Sequence, residues 1–433
     1  MKKVLSLVLA ALMILTMVVS FVACTGGNED GVLKVGAIMV GDESEGYTLA
    51  HMNGMEEAIK VIKEKTGKEI QLVYKKKVEE SDDCSKAAKA LIADGCKLIV
   101  SNSYGHQDYM YTVASEYKDI NFVSMTGDFG SICGLKNLFN AFTGVYESRY
   151  VSGVVAGLKL KELIDNDQIN TATNTVDGKY KIGYVGAFPY AEVVSGYTAF
   201  YLGIKSVVDN IQMEVVYTQS WFSEALEAEA AKYLMSQGCV IIGQHADSTG
   251  APSAVQSAHE KGEYTNVYSV GYNVDMLSAA PDVALTSAAN NWEVCYEAIF
   301  TAALEGKAIP QDLAYGYKDN GVAITALGKA CAEGTLGEVD RTIAALKAGD
   351  LQVFDVSKFT VGGEHITEAK VDLSYYDFSG AVPQVVYQGE EKNAVKTAKG
   401  ITYFEESTLR SAPYFSLRID GIVENSDKTF GTN

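Results

Sequence analysis

Basic charge is what this chain of 433 residues is short of: 36 lysines and arginines stand against 55 aspartates and glutamates, a net charge of −19. So acidic a surface repels phosphates, which excludes binding to DNA, RNA or anionic lipid headgroups through phosphate contacts. Catalytic signatures are missing too. The sequence has no G-x-S-x-G elbow, no H-E-x-x-H helix, no Walker loop and no G-x-G-x-x-G opening a helix. None of the seven cysteines has a partner at C-x-x-C spacing, so a zinc ribbon or a redox pair of that kind is excluded. Cys84, Cys96, Cys133, Cys239, Cys295 and Cys331 mostly fall in apolar patterns and read as small buried hydrophobes, although a disulfide of unassigned pairing stays open. His245 and Asp247 are neighbours on a loop without a third ligand, too few for a metal, and no cofactor is expected. Convergence of His51, His106 and His245 on a metal is the alternative reading of those residues.

Long apolar runs are scarce after the beginning. Lys2 and Lys3 precede the run Val4 to Phe21, the arrangement of a secretory signal over residues 1–23; a transmembrane anchor is the alternative. Phe21-Val-Ala-Cys24 resembles a bacterial lipobox, which would make a lipidated Cys24 the new N-terminus and residues 24–30 (CTGGNED) a flexible tether. Either way the protein is exported, and the lipobox predicts an extracytoplasmic chain held at the cell membrane by lipid. Removing residues 1–23 takes away two lysines and no acid, so the charge becomes −21.

What the chain does have is alternation. β-rich runs at 34–40, 69–76, 97–102, 120–126, 181–187, 213–219, 239–244, 267–272 and 283–289 are separated by segments with helical spacing at 47–65, 82–94, 108–118, 190–207, 223–237, 251–262 and 292–306. That order predicts an α/β protein of doubly wound parallel sheets covered by helices. "LIADGCKLIVSNS" (91–103) and "LMSQGCVIIGQHA" (234–246) repeat a helix end, a Gly-Cys and a buried strand, which argues for two related lobes. Lobe one is expected over 31–150 with 281–330 returning to it, and lobe two over 151–280. Residues 331–433 form a C-terminal extension, in which 339–354 reads as a helix and a strand.

Ligands of open parallel sheets bind beyond the carboxyl ends of the strands, and unusual polar and aromatic residues collect at those ends. Tyr47 and His51 follow the first strand, Ser103, Tyr104 and His106 the third, Phe188 the first strand of lobe two. Trp221, Asp247, Asn273, Asp275 and Trp292 follow later strands. Rings for stacking and Asp, Asn and His for directed hydrogen bonds suit a flat heteroaromatic ligand in an inter-lobe cleft. Each has a plainer alternative: Tyr47 and Phe188 as covers of the apolar seam, His51 as a packing histidine, Asp247 and Asp275 as helix caps, Trp292 as core.

The stretches "GDESEGYTLAHMNG" (41–54), "SNSYGHQD" (101–108), "TGVYESRYVSGVVAG" (143–157), "KIGYVGAFPYAEVVSGYTAFYLGIKSV" (181–207), "SWFSEALEAEAAKYLMSQGCVIIGQHADST" (220–249) and "GYNVDM" through "NNW" (271–292) resemble the basic membrane protein (BMP) family. The resemblance implies a type I periplasmic-binding fold with a hinged cleft, and a lipoprotein that serves an ABC permease by capturing a purine nucleoside or base. It implies ligand contacts from Tyr47, His51, Phe188, Trp221, Asp247, Asp275 and Trp292, and places His106 where the family commonly has an apolar or aromatic residue. The alternatives are a nucleoside-cleaving enzyme or an extracytoplasmic sensor using the same cleft. The first needs a nucleophile or a metal that the sequence does not display.

Overall fold

The computed structural model describes residues 32–377 and 384–430. The signal segment, Cys24 and the tether lie outside the described residues. The apolar runs become two sheets. In the first, Leu33–Ile38 lies between Ile70–Lys75 and Leu98–Ser101, and Asn121–Met125, Leu138–Thr143 and Asp312–Tyr315 continue outward, all parallel. In the second, Lys179–Gly186 lies between Ile211–Tyr217 and Ile241–His245, followed by Tyr268–Tyr272 and Ala284–Asn290, again parallel. The repeated segments occupy equivalent places, since Leu98–Ser101 and Ile241–His245 each flank the first strand of their sheet. Gly95 (φ 90°) and Gly238 (φ 91°) both take the left-handed conformation that ends the helix before it.

Two expectations shift. The periodicity gives no strand over 138–143, yet LFNAFT is a fully buried one. The chain was expected back in lobe one from residue 281, whereas Ala284–Asn290 pairs with Tyr268–Tyr272 of the second sheet. The return comes with the helix Trp292–Leu304 and the strand Asp312–Tyr315, before Val322–Ile324 goes back to the second sheet. Three short crossings therefore join the lobes, at Thr143 to Val145, at Asn290 to Trp292 and at Tyr315 to Val322.

Glycines let helices approach where the quoted motifs place them. A Cβ on Gly153 would meet the Phe200 carbonyl at 2.2 Å, and one on Gly203 the Tyr150 carbonyl at 2.1 Å, so Val145–Asp165 and Ala191–Lys205 cross almost backbone to backbone. In lobe one, Gly54 of the helix Gly46–Thr66 lies under Trp292, where a Cβ would be 2.8 Å from the tryptophan's own.

The extension begins with the helix Thr335–Ala348, but no strand follows; Asp355 makes only an isolated bridge to Tyr403. Short antiparallel ribbons come next, such as Val395–Ala398 with Ile401–Phe404. Phe354 stacks on Phe415 at 4.2 Å and on Tyr146 at 5.5 Å, which fuses this region to the core of lobe two. Finally Ile422–Thr429 adds a parallel strand beside Ile211–Tyr217. All six described cysteines are free.

Candidate functional site

Between the lobes lies a cavity of about 350 Å³, the size of a small-molecule site. Lobe one supplies Glu45, Tyr47, Asn102, Ser103, Tyr104 and Thr126; lobe two supplies Glu192, Trp221, Phe222, Asp247 and Tyr272. A larger hollow of about 1020 Å³ separates lobe two from the extension. Its polar groups satisfy one another: Lys205 pairs with Asp209, and Asp420 accepts from Thr360 and from two backbone amides. That leaves the inter-lobe cavity as the candidate.

Under Tyr47, lobe one holds its wall by neutral hydrogen bonds and ring packing, while at the rim Ser103 donates to Glu80 and Lys77 pairs with Asp42. Tyr47, in the first turn of its helix, donates from its hydroxyl to the Asn102 carbonyl at 2.5 Å. The Asn102 side chain in turn accepts from the Val40 amide (2.8 Å) and donates to Thr48 (3.2 Å). One helical turn deeper, His51 stacks on Trp292 with ring centres 4.1 Å apart, touches Tyr47 edge-on at 4.6 Å, and lies 2.8 Å from the Tyr296 hydroxyl. Burial lowers the His51 pKa to about 3, so the ring is neutral.

Lobe two builds its wall from buried charge. Asp247, fixed by an amide bond to the Trp221 carbonyl (2.8 Å), accepts from Asn273 Nδ2 at 2.8 Å. Burial holds its carboxyl well above the usual range; Glu45, Glu227 and Glu192 push the same way and Arg149 opposes them. His245 lies 3.3 Å from Glu192, and its pKa falls to about 4 through burial and then Arg149. Behind Tyr272 the guanidinium of Arg149, 1% exposed, sits 3.8 Å from the ring centre. Its Nη1 donates to the Gln244 carbonyl at 2.5 Å, while among the described residues Nε and Nη2 meet no hydrogen-bond acceptor within full bonding geometry, with the Tyr184 hydroxyl nearby. Beneath the Asp247 loop, Glu227 accepts from the amides of Ser223 (3.1 Å) and Ser248 (3.3 Å), and burial raises its pKa to about 7.

Five of the residues singled out from sequence share this cavity: Tyr47, Ser103, Tyr104, Trp221 and Asp247. Two stand just behind it. Phe188 stacks on Tyr190 (5.2 Å) and leans on Trp221 (5.2 Å), and Asn273 orients Asp247. Four lie elsewhere. His51 and Trp292 belong to the core under Tyr47. His106 is a fully buried packing residue: its Nε2 donates to the Val78 carbonyl at 3.0 Å, which leaves Nδ1 to accept from Ser101 at 2.7 Å. Asp275 is exposed and caps a turn through the Leu277 amide at 2.7 Å. Glu45, Asn102, Thr126, Glu192, Phe222 and Tyr272 were not singled out as contacts. Among the described residues no cluster of three or more His, Cys, Asp or Glu has the geometry of a metal site.

The cavity's acids are Asp42, Glu45, Glu80, Glu192 and Asp247, against Lys77 as the one lining cation. Lys77 is already bound to Asp42 at 2.6 Å, a pairing that holds the Asp42 pKa well down.

Residues 37–342 match the family model described as ABC transporter substrate-binding protein PnrA-like, named Bmp. This chain belongs to the Bmp family. It is 31% identical to a purine-binding protein of Brucella abortus over 343 residues, 79% of this chain and 89% of that protein. A putative ABC transporter glucose-binding protein of Haloferax volcanii is 32% identical over 52% of this chain and 50% of its own length. Among solved structures, an ABC transporter solute-binding protein of Aeropyrum pernix superposes with TM-score 0.57 at 14% identity, covering 77% of this chain and 94% of the other. A transcriptional activator of the comK gene from Bacillus halodurans gives 0.56 at 19%, over 73% and 99%. Those likenesses establish the periplasmic-binding fold. The family is one of substrate-binding proteins of ABC transporters. No described helix is long and apolar enough to cross a membrane.

Proposed function

We propose that this Bmp protein is a lipid-anchored receptor, attached through Cys24, that closes its lobes on a purine base or purine nucleoside and delivers it to an ABC permease. One observation carries the reading. A cavity of about 350 Å³ is walled from both lobes by Tyr47, Tyr104, Trp221, Phe222 and Tyr272, with carboxylates set between the rings. Flat aromatic ligands are held by such rings, and purine N–H groups find acceptors in Asp247 and Glu192. Tyr47 and Trp221 stack the base, Ser103 and Tyr104 line the rim, and Asn273 fixes Asp247. Phe188, His51 and Trp292 support the rings from behind. Two of the residues first taken as contacts, His106 and Asp275, have no part in this arrangement. The surplus of acids disfavours phosphorylated ligands. A ligand touching both walls favours the closed form over the open one. The similarity to the Brucella purine-binding protein supports the same ligand class.

Calorimetry of the full mature protein against adenine, guanine, hypoxanthine, their ribonucleosides and glucose tests this. A saturable heat with at least one purine is expected. Silence with every purine alongside a clear heat with glucose overturns the ligand class. Inosine incubated with the protein is expected back intact; free hypoxanthine would point to an enzyme instead.

A further inference from the structure

Most of the extension, residues 343–433, lies outside the region matched by the family model, and it touches both lobes. On lobe two it is built in. Ile422–Thr429 extends the sheet, Glu424 accepts from the hydroxyls of Tyr197 (2.7 Å) and Tyr217 (2.5 Å), and Phe415 is fully buried against Phe354. On lobe one it has three separate anchors. Arg410 pairs with the buried Asp128 at 3.3 Å, and the Ser411 amide donates to Asp312 at 2.9 Å. Tyr375 stacks on Phe129 with centres 4.3 Å apart and planes 14° apart, while its hydroxyl donates to Asp108 at 2.8 Å. Between the two sets of anchors, Ala412 packs with Phe142, Val145 and Tyr272, beside the first crossing between the lobes.

Two lobes joined by three short crossings are free to hinge. A fourth connection, outside those crossings and fixed at both ends, removes part of that freedom. We infer that these anchors make the extension a strap that limits how far the lobes separate, and that full opening requires release of the lobe-one anchors at Tyr375, Arg410 and Ser411. Release at this end is favoured by the contacts themselves. Lobe one is held by one ion pair, one ring stack and single hydrogen bonds, whereas lobe two is held by a strand and a continuous apolar core. The strap restricts the empty protein most, because a ligand bridging the walls already holds them together.

Small-angle X-ray scattering of the ligand-free full chain tests this without reference to what the cleft binds. The double variant Arg410→Ala, Tyr375→Ala is expected to widen the empty protein, with a rise of about 1 Å on a radius of gyration of about 22 Å and a longer maximum dimension. Circular dichroism and a cooperative melt establish that it is folded. Should it not fold, Arg410→Gln alone, which removes the ion pair and keeps most of the side chain's volume, is expected to give a smaller rise in the same direction. A folded variant whose scattering profile overlays that of the parent overturns the inference.

Discussion

The two walls of the cleft are made of different material. Lobe one presents Tyr47 on a neutral foundation, a column of His51, Trp292 and Tyr296 whose rings lie against one another in the core. Lobe two presents Asp247, Glu192 and Tyr272 over a buried cation, Arg149, and a buried acid, Glu227. Directly behind the cleft, the atoms without a hydrogen-bond partner among the described residues differ in the same way. In lobe one they include the ring nitrogens His51 Nε2 and Trp292 Nε1; in lobe two they include Arg149 Nε and Nη2, His245 Nδ1 and Glu227 Oε2. Packing sets a shape and stabilises it, while buried charge usually costs stability and is kept where it has a task. Damage to lobe one should therefore appear in folding, and damage to lobe two in binding.

The largest effect tests the first half. His51→Ala removes the ring stacked on Trp292 and leaves a cavity under Tyr47, for a loss of about 3 kcal/mol of folding stability. Urea titration of the empty protein measures it, and a loss under about 1 kcal/mol would break the contrast. Asp247→Ala comes next. It takes away one of the two acids that face the cleft from lobe two, and purine affinity should drop between about tenfold and a hundredfold. Urea stability should hold, since a group whose burial opposes its own ionisation contributes little to folding. Calorimetry and denaturation on the same preparation separate the two; a variant that unfolds easily yet binds normally would reverse the assignment.

The sequence carried the scaffold further than the site, and individual residues show why. Strand–helix alternation and the Gly95/Gly238 echo locate both sheets, because period and left-handed caps are local properties. The rule that ligands sit beyond strand ends reaches Tyr47, Ser103, Tyr104, Trp221 and Asp247, which do share the cavity. It overshoots at His51 and Trp292. His51 is on the Tyr47 face of the helix but one turn, about 5.4 Å, further from the cleft, and sequence spacing alone does not show depth. Tyr272 passes as the last member of an apolar strand, and Glu192 as an ordinary acid in a helix's first turn. The extension stayed opaque for another reason. Its strands are mostly three or four residues long, too short to display a period, and its hold on lobe one rests on scattered contacts by Tyr375, Arg410 and Ser411.

A subtler test concerns Arg149. Arg149→Met keeps the volume behind Tyr272 but removes a buried charge that has one hydrogen bond and one ring contact. The melting temperature should hold or rise, because apolar replacements of buried charges are often neutral or stabilising. Purine affinity should fall severalfold, as Tyr272 loses the cation at its back and Asp247 loses the one positive neighbour that favours its ionised form. Arg149→Lys should recover part of the affinity. A drop in melting temperature with unchanged affinity would make Arg149 a lobe-one kind of residue, and the contrast between the walls would lose its clearest example.

The smallest effect is a slope with pH. In an unfolded chain glutamates are ionised between pH 6.5 and 8, and histidines go from half protonated at about pH 6.5 to neutral at about pH 8, so groups with raised native pKa values set the slope over most of that window. Burial lifts Glu227 to about 7, Glu147 to about 7 and Glu406 to about 8. The native state therefore holds more protons than the unfolded state there, and stability must fall as pH rises from 6.5 to 8. His51 works in the opposite sense and mostly at lower pH. With a native pKa near 3 it stays neutral while the unfolded chain takes up a proton around pH 6.5, so its share of stability starts to fall as pH drops through about 7 and is lost progressively toward 3. Melting temperatures between pH 6.5 and 8 should decline by a few degrees in the parent. The decline should be shallower in Glu227→Gln, and slightly steeper near pH 6.5 in His51→Gln even though that variant melts lower throughout. If the slope followed the histidine and ignored the glutamate, the titrating wall would be lobe one, the reverse of what the buried charges require.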